Sequence, residues 1–229
     1  MYMKRSAHHR PNITSRARGF TLVELLVVLA IIGVMLGLVV PAANTLLRGS
    51  QMTQGSQMVN DQLNLARQTA LSTNRSVEVR FYQFADPQTP GETASSPSTG
   101  KYRALQLFEI QESGSAVALG KMQTVPPSII IDSGTTLSSI IGSGSASPAI
   151  PTLSSTQTVP IPRAGTQYNS VAFRFLPDGS TNLSPTSSNQ WFVTLHNLTD
   201  GDPVKPVPPP NYYTVQVDAT NGHIKNFRP

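Results

Sequence analysis

One carboxylate stands alone in the most apolar stretch of the chain. Glu24 is the only charged residue between Phe20 and Leu47. An acid at a bilayer centre costs roughly 2.5–3.5 kcal/mol, and less near the interface. Such a residue is a functional site by default and needs a partner of opposite charge. Just before it, Gly19-Phe20 joins a basic leader to the apolar run. The other chemistry-bearing residues are not arranged for catalysis. The histidines are His8, His9, His196 and His223, and no acid or cysteine lies at metal-ligand spacing from the last two. No Gly-x-Ser-x-Gly elbow occurs among the many serines. Gly142-Ser143-Gly144 sits in a Ser/Gly loop rather than opening a helix, so it is no nucleotide fingerprint. Trp191 reads as core. Thr199-Asp200-Gly201-Asp202 is the only calcium-like cluster, but calcium takes six to eight oxygens and two carboxylates are few. It reads as a solvated turn. These patterns describe a non-enzyme without cofactor or metal.

The elements that position Glu24 follow from charge and hydropathy. The net charge of +5 belongs to the leader, where Lys4, Arg5, Arg10, Arg16 and Arg18 meet no acid. From Phe20 onward there are 12 basic and 12 acidic residues, without a basic cluster, so the folded part is not expected to bind nucleic acid. Positive charge beside a span stays cytoplasmic. The expectation is a single pass of the inner membrane, with the N-terminus inside and the C-terminal part exported. Leu22–Val40 is 19 residues with one charge, and continuation to Leu47 is ample for a ~30 Å hydrocarbon core. A secretory signal peptide has a shorter apolar core, of about 7–15 residues. A plain anchor would explain the length but neither Glu24 nor the Gly-Phe junction. Pro41 is expected to end or kink the first helical segment, with Gly33 and Gly37 weakening it. No cysteine is present, so an exported domain of this size must rely on its core.

The organisation predicted is a basic leader 1–19, a transmembrane helix 20–47, and an exported β-rich domain 48–229 that begins with an amphipathic continuation, 48–73. Met52, Val59, Leu63, Ala66 and Ala70 form one helical stripe, and Asn74 is a plausible stop. Strands are expected at Ser76–Phe84, Tyr102–Ile110, Ala116–Thr124, Ser128–Asp132, Val171–Leu176, Gln190–His196, Tyr212–Asp218 and His223–Phe227. In the first, Val77, Val79 and Phe81 share one face, and Glu78 and Arg80 the other. Pro177-Asp178-Gly179-Ser180 reads as a tight turn, and Asn221-Gly222 as a hairpin turn in which both residues accept positive φ. Residues 85–100 and 142–170 are Ser/Thr/Gly/Pro-rich loops, and Pro203–Pro210 is a polyproline connection rather than a ligand for an aromatic groove. The fold class is therefore α+β, a long N-terminal helix packed on an antiparallel β domain.

Gly19-Phe20-Thr21-Leu22-Val23-Glu24-Leu25-Leu26 resembles the cleavage and methylation motif of type IV prepilins and type II secretion pseudopilins. Gln62–Leu71 followed by Asn74-Arg75 and Val77–Phe81, the Phe173-Arg174-Phe175-Leu176-Pro177-Asp178-Gly179 strand and turn, and the closing strand with Asn221-Gly222-His223-Ile224 resemble the GspH/FimT minor pseudopilins. Val77–Pro87 with Lys101–Ile110 is also similar to the prepilin-like Verru_Chthon cassette protein D family. The resemblance implies a pilin-like fold and cleavage between Gly19 and Phe20 by a prepilin peptidase. It also implies N-methylation of Phe20, a registry role for Glu24 against the terminal amine of a neighbouring subunit, and a kink at Pro41. Other prepilin or pseudopilin subunits in a type IV pilus or type II secretion pseudopilus-like filament are then the partners. Two family features are missing or weak, the C-terminal disulfide of many major pilins and a full acidic calcium loop. The alternative is an envelope-anchored binding domain that forms no filament.

Overall fold

The structure, a computed structural model, describes residues 19–93, 99–142, 160–161, 165–185, 190–204 and 207–229, and only the backbone of 38–46. The leader, much of the 142–170 loop, and parts of 85–100 and of Pro203–Pro210 lie outside the described residues. The chain divides into two units, Met1–Thr45 and Leu46–Pro229.

Helix α1, Leu22–Thr73, runs through both units. Pro41 lies inside it and does not end it, contrary to one of the two sequence expectations for this residue; Gly33 and Gly37 do not interrupt it either. In the first unit every described residue from Gly19 to Gly37 is exposed. Among the described residues no helix is long and apolar enough to cross a membrane. The expected span, Leu22–Val40, runs into residues 38–40, whose side chains lie outside the description.

In the second unit the helical stripe forms as its spacing predicts. Met52, Val59, Leu63, Ala66 and Ala70 are all buried, with Ser56 on the same line. Gly55 lets the helix come close to its support: an added Cβ would sit 3.2 Å from Pro126 Cδ and 3.5 Å from Ile129 Cγ2 and Leu195 Cδ2. The helix ends at Asn74, whose φ of 53° is the left-handed conformation that asparagine tolerates after a last turn.

The stripe packs on an antiparallel sheet with nine strands among the described residues, along the path β6-β1-β2-β5-β7-β8-β9. The strands are β1 Val77–Phe84, β2 Lys101–Ile110, β3 Ala116–Ala118, β4 Gln123–Thr124, β5 Ile129–Ile131, β6 Asn169–Phe175, β7 Trp191–Asn197, β8 Tyr213–Val217 and β9 Ile224–Phe227, with a short helix α2 at Ser139–Gly142. One edge of β2 pairs with β1, and the other carries β3, β4 and Ile131 of β5 in turn. The strand expected over Ala116–Thr124 is thus two strands. Gly120 separates them with φ 84°, a backbone state that leaves the ladder.

Val77, Val79 and Phe81 join the α1 stripe in the main core, with Leu105, Leu107, Phe173 and Val193. The other face of β1 is buried as well. Tyr82, Phe84 and Ala104 pack there with Ile161 of the long loop, and Glu78 and Arg80 lie among the buried charges. Glu78 holds Arg80 Nε at 2.6 Å and Arg174 Nε at 2.8 Å, and the Arg80 guanidinium lies 3.9 Å above the Phe108 ring. The Pro177–Ser180 turn forms: Gly179 N–H donates to Leu176 O at 2.9 Å, and Ser180 donates twice to Asp178 Oδ1. The β8–β9 connection differs from a two-residue hairpin. It closes through Gly222 N–H to Asp218 O and Asp218 N–H to His223 O. Gly222 has positive φ, but Asn221 does not.

Candidate functional site

Two sets of side chains carry the chemistry, one in each unit. The first is the start of α1. Thr21 precedes the first helical residue and Glu24 is the third residue of the helix. Glu24 Oε2 accepts from Thr21 N–H and Thr21 Oγ1, both at 3.1 Å, while Glu24 N–H donates to Thr21 Oγ1 at 3.2 Å. This is a reciprocal capping box, which satisfies amides that a helix start otherwise leaves unpaired. A carboxylate there also faces the positive end of the helix dipole. Thr21 is the site residue that the sequence reading missed, although Thr-x-x-Glu ahead of an apolar run is a legible signal. Phe20 is 85% exposed, with Leu22, Val23, Leu25 and Leu26 exposed behind it. Gly19 has open space around it.

The second set is buried in the β domain, and no sequence signal pointed to it. Asp132 follows β5, His196 lies near the end of β7, and Asp202 follows a 3-10 turn at Leu198–Asp200. One nitrogen or carboxylate oxygen from each lies within 4.8 Å of the others. The sequence offers no acid at metal-ligand spacing from His196, but antiparallel pairing of β5 with β7 sets Ile130 opposite His196 and brings Asp132, distant in sequence, to the ring. The solvated-turn reading holds for Thr199–Gly201, which is exposed and closed by Asn197 and Asp200 as a capping box. It fails for Asp202, whose side chain is only 2% exposed.

The carboxylate oxygens are already engaged by protein donors. Asp132 Oδ2 accepts from His196 Nε2 at 3.1 Å and Val204 N–H at 2.9 Å, and Oδ1 from Gly134 N–H at 2.8 Å. Asp202 Oδ1 accepts from Ser133 N–H and Oγ, both at 2.8 Å, and Oδ2 lies 3.6 Å from Lys101 Nζ. His196 Nδ1 is 2.9 Å from the Asn197 carbonyl. Two carboxylates thus face two basic groups, in an arrangement closed by hydrogen bonds rather than open to a ligand. Burial pushes the Asp132 carboxyl up, but the bonds from His196, Val204 and Gly134 outweigh it and leave the group below its ordinary value. Burial pulls the His196 imidazole down, but the bonds to Asp132 and Asn197 and the nearby carboxylate charges leave it raised. Tyr102, beside Asp202, is pushed up to about 12 by burial and then by that charge. Trp191 is core, as expected, and donates its indole N–H to Ser184 O at 2.8 Å.

With this geometry in hand, comparison with known proteins adds one decisive match. Residues 14–40 match the family described as the prokaryotic N-terminal methylation motif, which takes in Gly19, Phe20, Thr21 and Glu24. The chain carries a prokaryotic N-terminal methylation motif. No curated protein matches the chain. Among solved structures it is similar to the minor pseudopilin EpsH from the type 2 secretion system of Vibrio cholerae, at 10% identity over 78% of this chain and 98% of that one, with a TM-score of 0.41. It is also similar to the type IV minor pilin FimU of Pseudomonas aeruginosa, at 10% identity over 79% and 93% of the two chains, with a TM-score of 0.40. Likeness at that level carries no functional argument, and the weight falls on the methylation motif.

Proposed function

We propose that the chain is a prepilin-type structural subunit rather than an enzyme, and that it assembles into a type IV pilus or type II secretion pseudopilus-like filament. The observation that carries this reading is the methylation motif at 14–40. A membrane-embedded prepilin peptidase cuts between Gly19 and Phe20, where no side chain obstructs it, and the new Phe20 amine is methylated. The start of α1 anchors the chain in the inner membrane, and the β domain is exported. In the filament Glu24 faces the terminal amine of a neighbour. Opposite charges attract far more strongly in a low dielectric than in water. Burying such a pair need not stabilise the assembly overall, so its contribution is registry.

Mass spectrometry of the membrane-extracted protein tests the reading. It should find a chain beginning at N-methyl-Phe20, and Gly19→Val should keep the leader attached. A chain beginning near Ala43 would establish a conventional signal peptide instead.

A further inference from the structure

The buried cluster has a protonation requirement that follows from its bonds. The Asn197 carbonyl oxygen, near Nδ1 at 2.9 Å, has no proton to give. The Asp132 carboxylate, near Nε2 at 3.1 Å, has none either when ionised. A neutral imidazole carries a single N–H, so one of its nitrogens would turn a lone pair toward an oxygen inside a site where His196 is 0% exposed. Only the doubly protonated ring satisfies both contacts. The same Asp132 oxygen that takes the ring proton also holds Val204 N–H, and Asp202 holds Ser133. The connection that leaves β7 is thereby tied to the turn after β5.

We infer that His196 is a pH-operated latch: its imidazolium, clamped by Asp132 and the Asn197 carbonyl, fastens the Leu198–Val204 connection to Ser133–Gly134, and loss of the ring proton lets that connection open. The charged and titratable groups facing the ring are Asp132 from the β5 end, Asp200 with Oδ2 at 4.0 Å from Nδ1, and Asp202. Lys101 and Tyr102 stand behind Asp202 on β2. A cation in place of the ring proton is disfavoured by the bonds already made. It would have to strip the bonds from Val204, Gly134 and Ser133, which the closed latch keeps.

The direction of the pH effect follows from linkage. The folded-state value of His196 is raised, so its contribution is whole below the unfolded value of about 6.5 and is lost as pH climbs through the folded value. Asp132 is depressed, so its contribution is present above about 3.9 and is lost as pH falls through its folded value. The latch is closed between these limits. Between the unfolded and the folded values of His196 the closed-to-open ratio falls by up to about tenfold per pH unit, and above the folded value it levels off.

Hydrogen exchange on the full-length chain in detergent, corrected for the intrinsic pH dependence, tests this together with ¹⁵N spectra of the histidine ring. The expected result is an imidazolium at pH 6.5 and loss of protection at Val204 and Ser133 as that ring titrates, with the α1–β1 region unchanged. His196→Gln should abolish the pH dependence at those two amides, and Asp132→Asn should lower the ring's titration point. If neither variant folds, the wild-type spectra and exchange profile decide the matter alone. A neutral ring at pH 6.5 would overturn the latch. So would a ring that titrates without any change at Val204. Displacement of the ring proton at neutral pH by zinc ion alone, with increased protection, would also overturn it and make the cluster a cation site.

Discussion

Glu24 has two separable properties: an acceptor that closes the first turn of α1, and a negative charge. Glu24→Gln keeps the first and removes the second, because an amide oxygen can accept the same bonds from Thr21. Thr21→Ala keeps the charge and the backbone N–H contact and removes the two contacts made by the threonine hydroxyl. The cap consists of contacts of 3.1, 3.1 and 3.2 Å, and losing a threonine cap costs about 1 kcal/mol, less than about tenfold in the population with an ordered first turn. A buried charge deprived of its partner costs about 3–5 kcal/mol, more than about a hundredfold. The two variants therefore differ by at least about tenfold if the proposed amine–carboxylate pair sets register. Each variant is expressed with the proposed partner prepilins, crosslinked in membranes, and scored as the fraction of processed chain found in assemblies. Thr21→Ala should stay within about tenfold of wild type. Glu24→Gln should fail as Glu24→Val does, Glu24→Asp should fall between, and cleavage after Gly19 should survive in all. Wild-type assembly by Glu24→Gln, with failure of Thr21→Ala, would refute the charge pair and leave capping as the role of this residue.

Further outcomes follow from the β domain. A Cβ on Gly222 would meet Gly179 O at 2.2 Å, with φ at +64°, whereas one on Gly165, at +60°, would meet nothing within 4 Å. Gly165→Ala should therefore cost about 1–2 kcal/mol from backbone strain alone, and Gly222→Ala about 1–3 kcal/mol more; equal urea midpoints would show that the two turns do not press on each other. The buried Tyr82 hydroxyl lies near Arg80 but makes no well-formed hydrogen bond among the described residues, and burial is the main cause of its pKa of about 12. Tyr82→Phe should leave the urea midpoint unchanged or raise it, while a loss of about 1 kcal/mol would reveal a bound partner. A fragment from residue 50 to the end keeps the buried stripe and every strand among the described residues. It should melt cooperatively and identically with chelator or reductant present, and strong stabilisation by calcium that vanishes on mutating Asp200 and Asp202 would contradict this.

The fold was legible wherever one period dominated. Met52 through Ala70 announced a buried helical stripe, and the main strands lie within about two residues of their expected limits. Where other physics intervened, the reading slipped. Alternation in β1 separates two faces but does not say that both are covered, and Ile161 of a Ser/Pro-rich loop helps to cover the second. Gly120 inside an apolar stretch cut one strand into two. Asp132 and His196 are 64 positions apart, so only the β5–β7 register brings them together. No local spacing encodes that meeting. Thr21 was legible beside Glu24, but the cost of an acid in lipid drew the reading toward an external partner and away from the cap.

The two carboxylate sites solve opposite problems. Asp132 and Asp202 are deep in a domain that itself supplies their hydrogen-bond donors. Glu24 stands at the edge of a surface where Phe20 and the large apolar side chains from Leu22 to Leu36 are exposed. Burying such surface gains about 25 cal/mol per Å², whether lipid or another helix covers it. That gain is nearly the same for many alignments of one apolar helix along another, because hydrophobic contact is non-directional. A single charge breaks the degeneracy. It penalises alignments that leave the carboxylate against hydrocarbon and favours the one that places a cation beside it. The position of Glu24 in the first turn suits this task in a proposed filament, since a newly exposed amine at Phe20 on a neighbour would offer the complementary charge at the matching end of its helix. The cap from Thr21 would hold the carboxylate in place until that amine arrives.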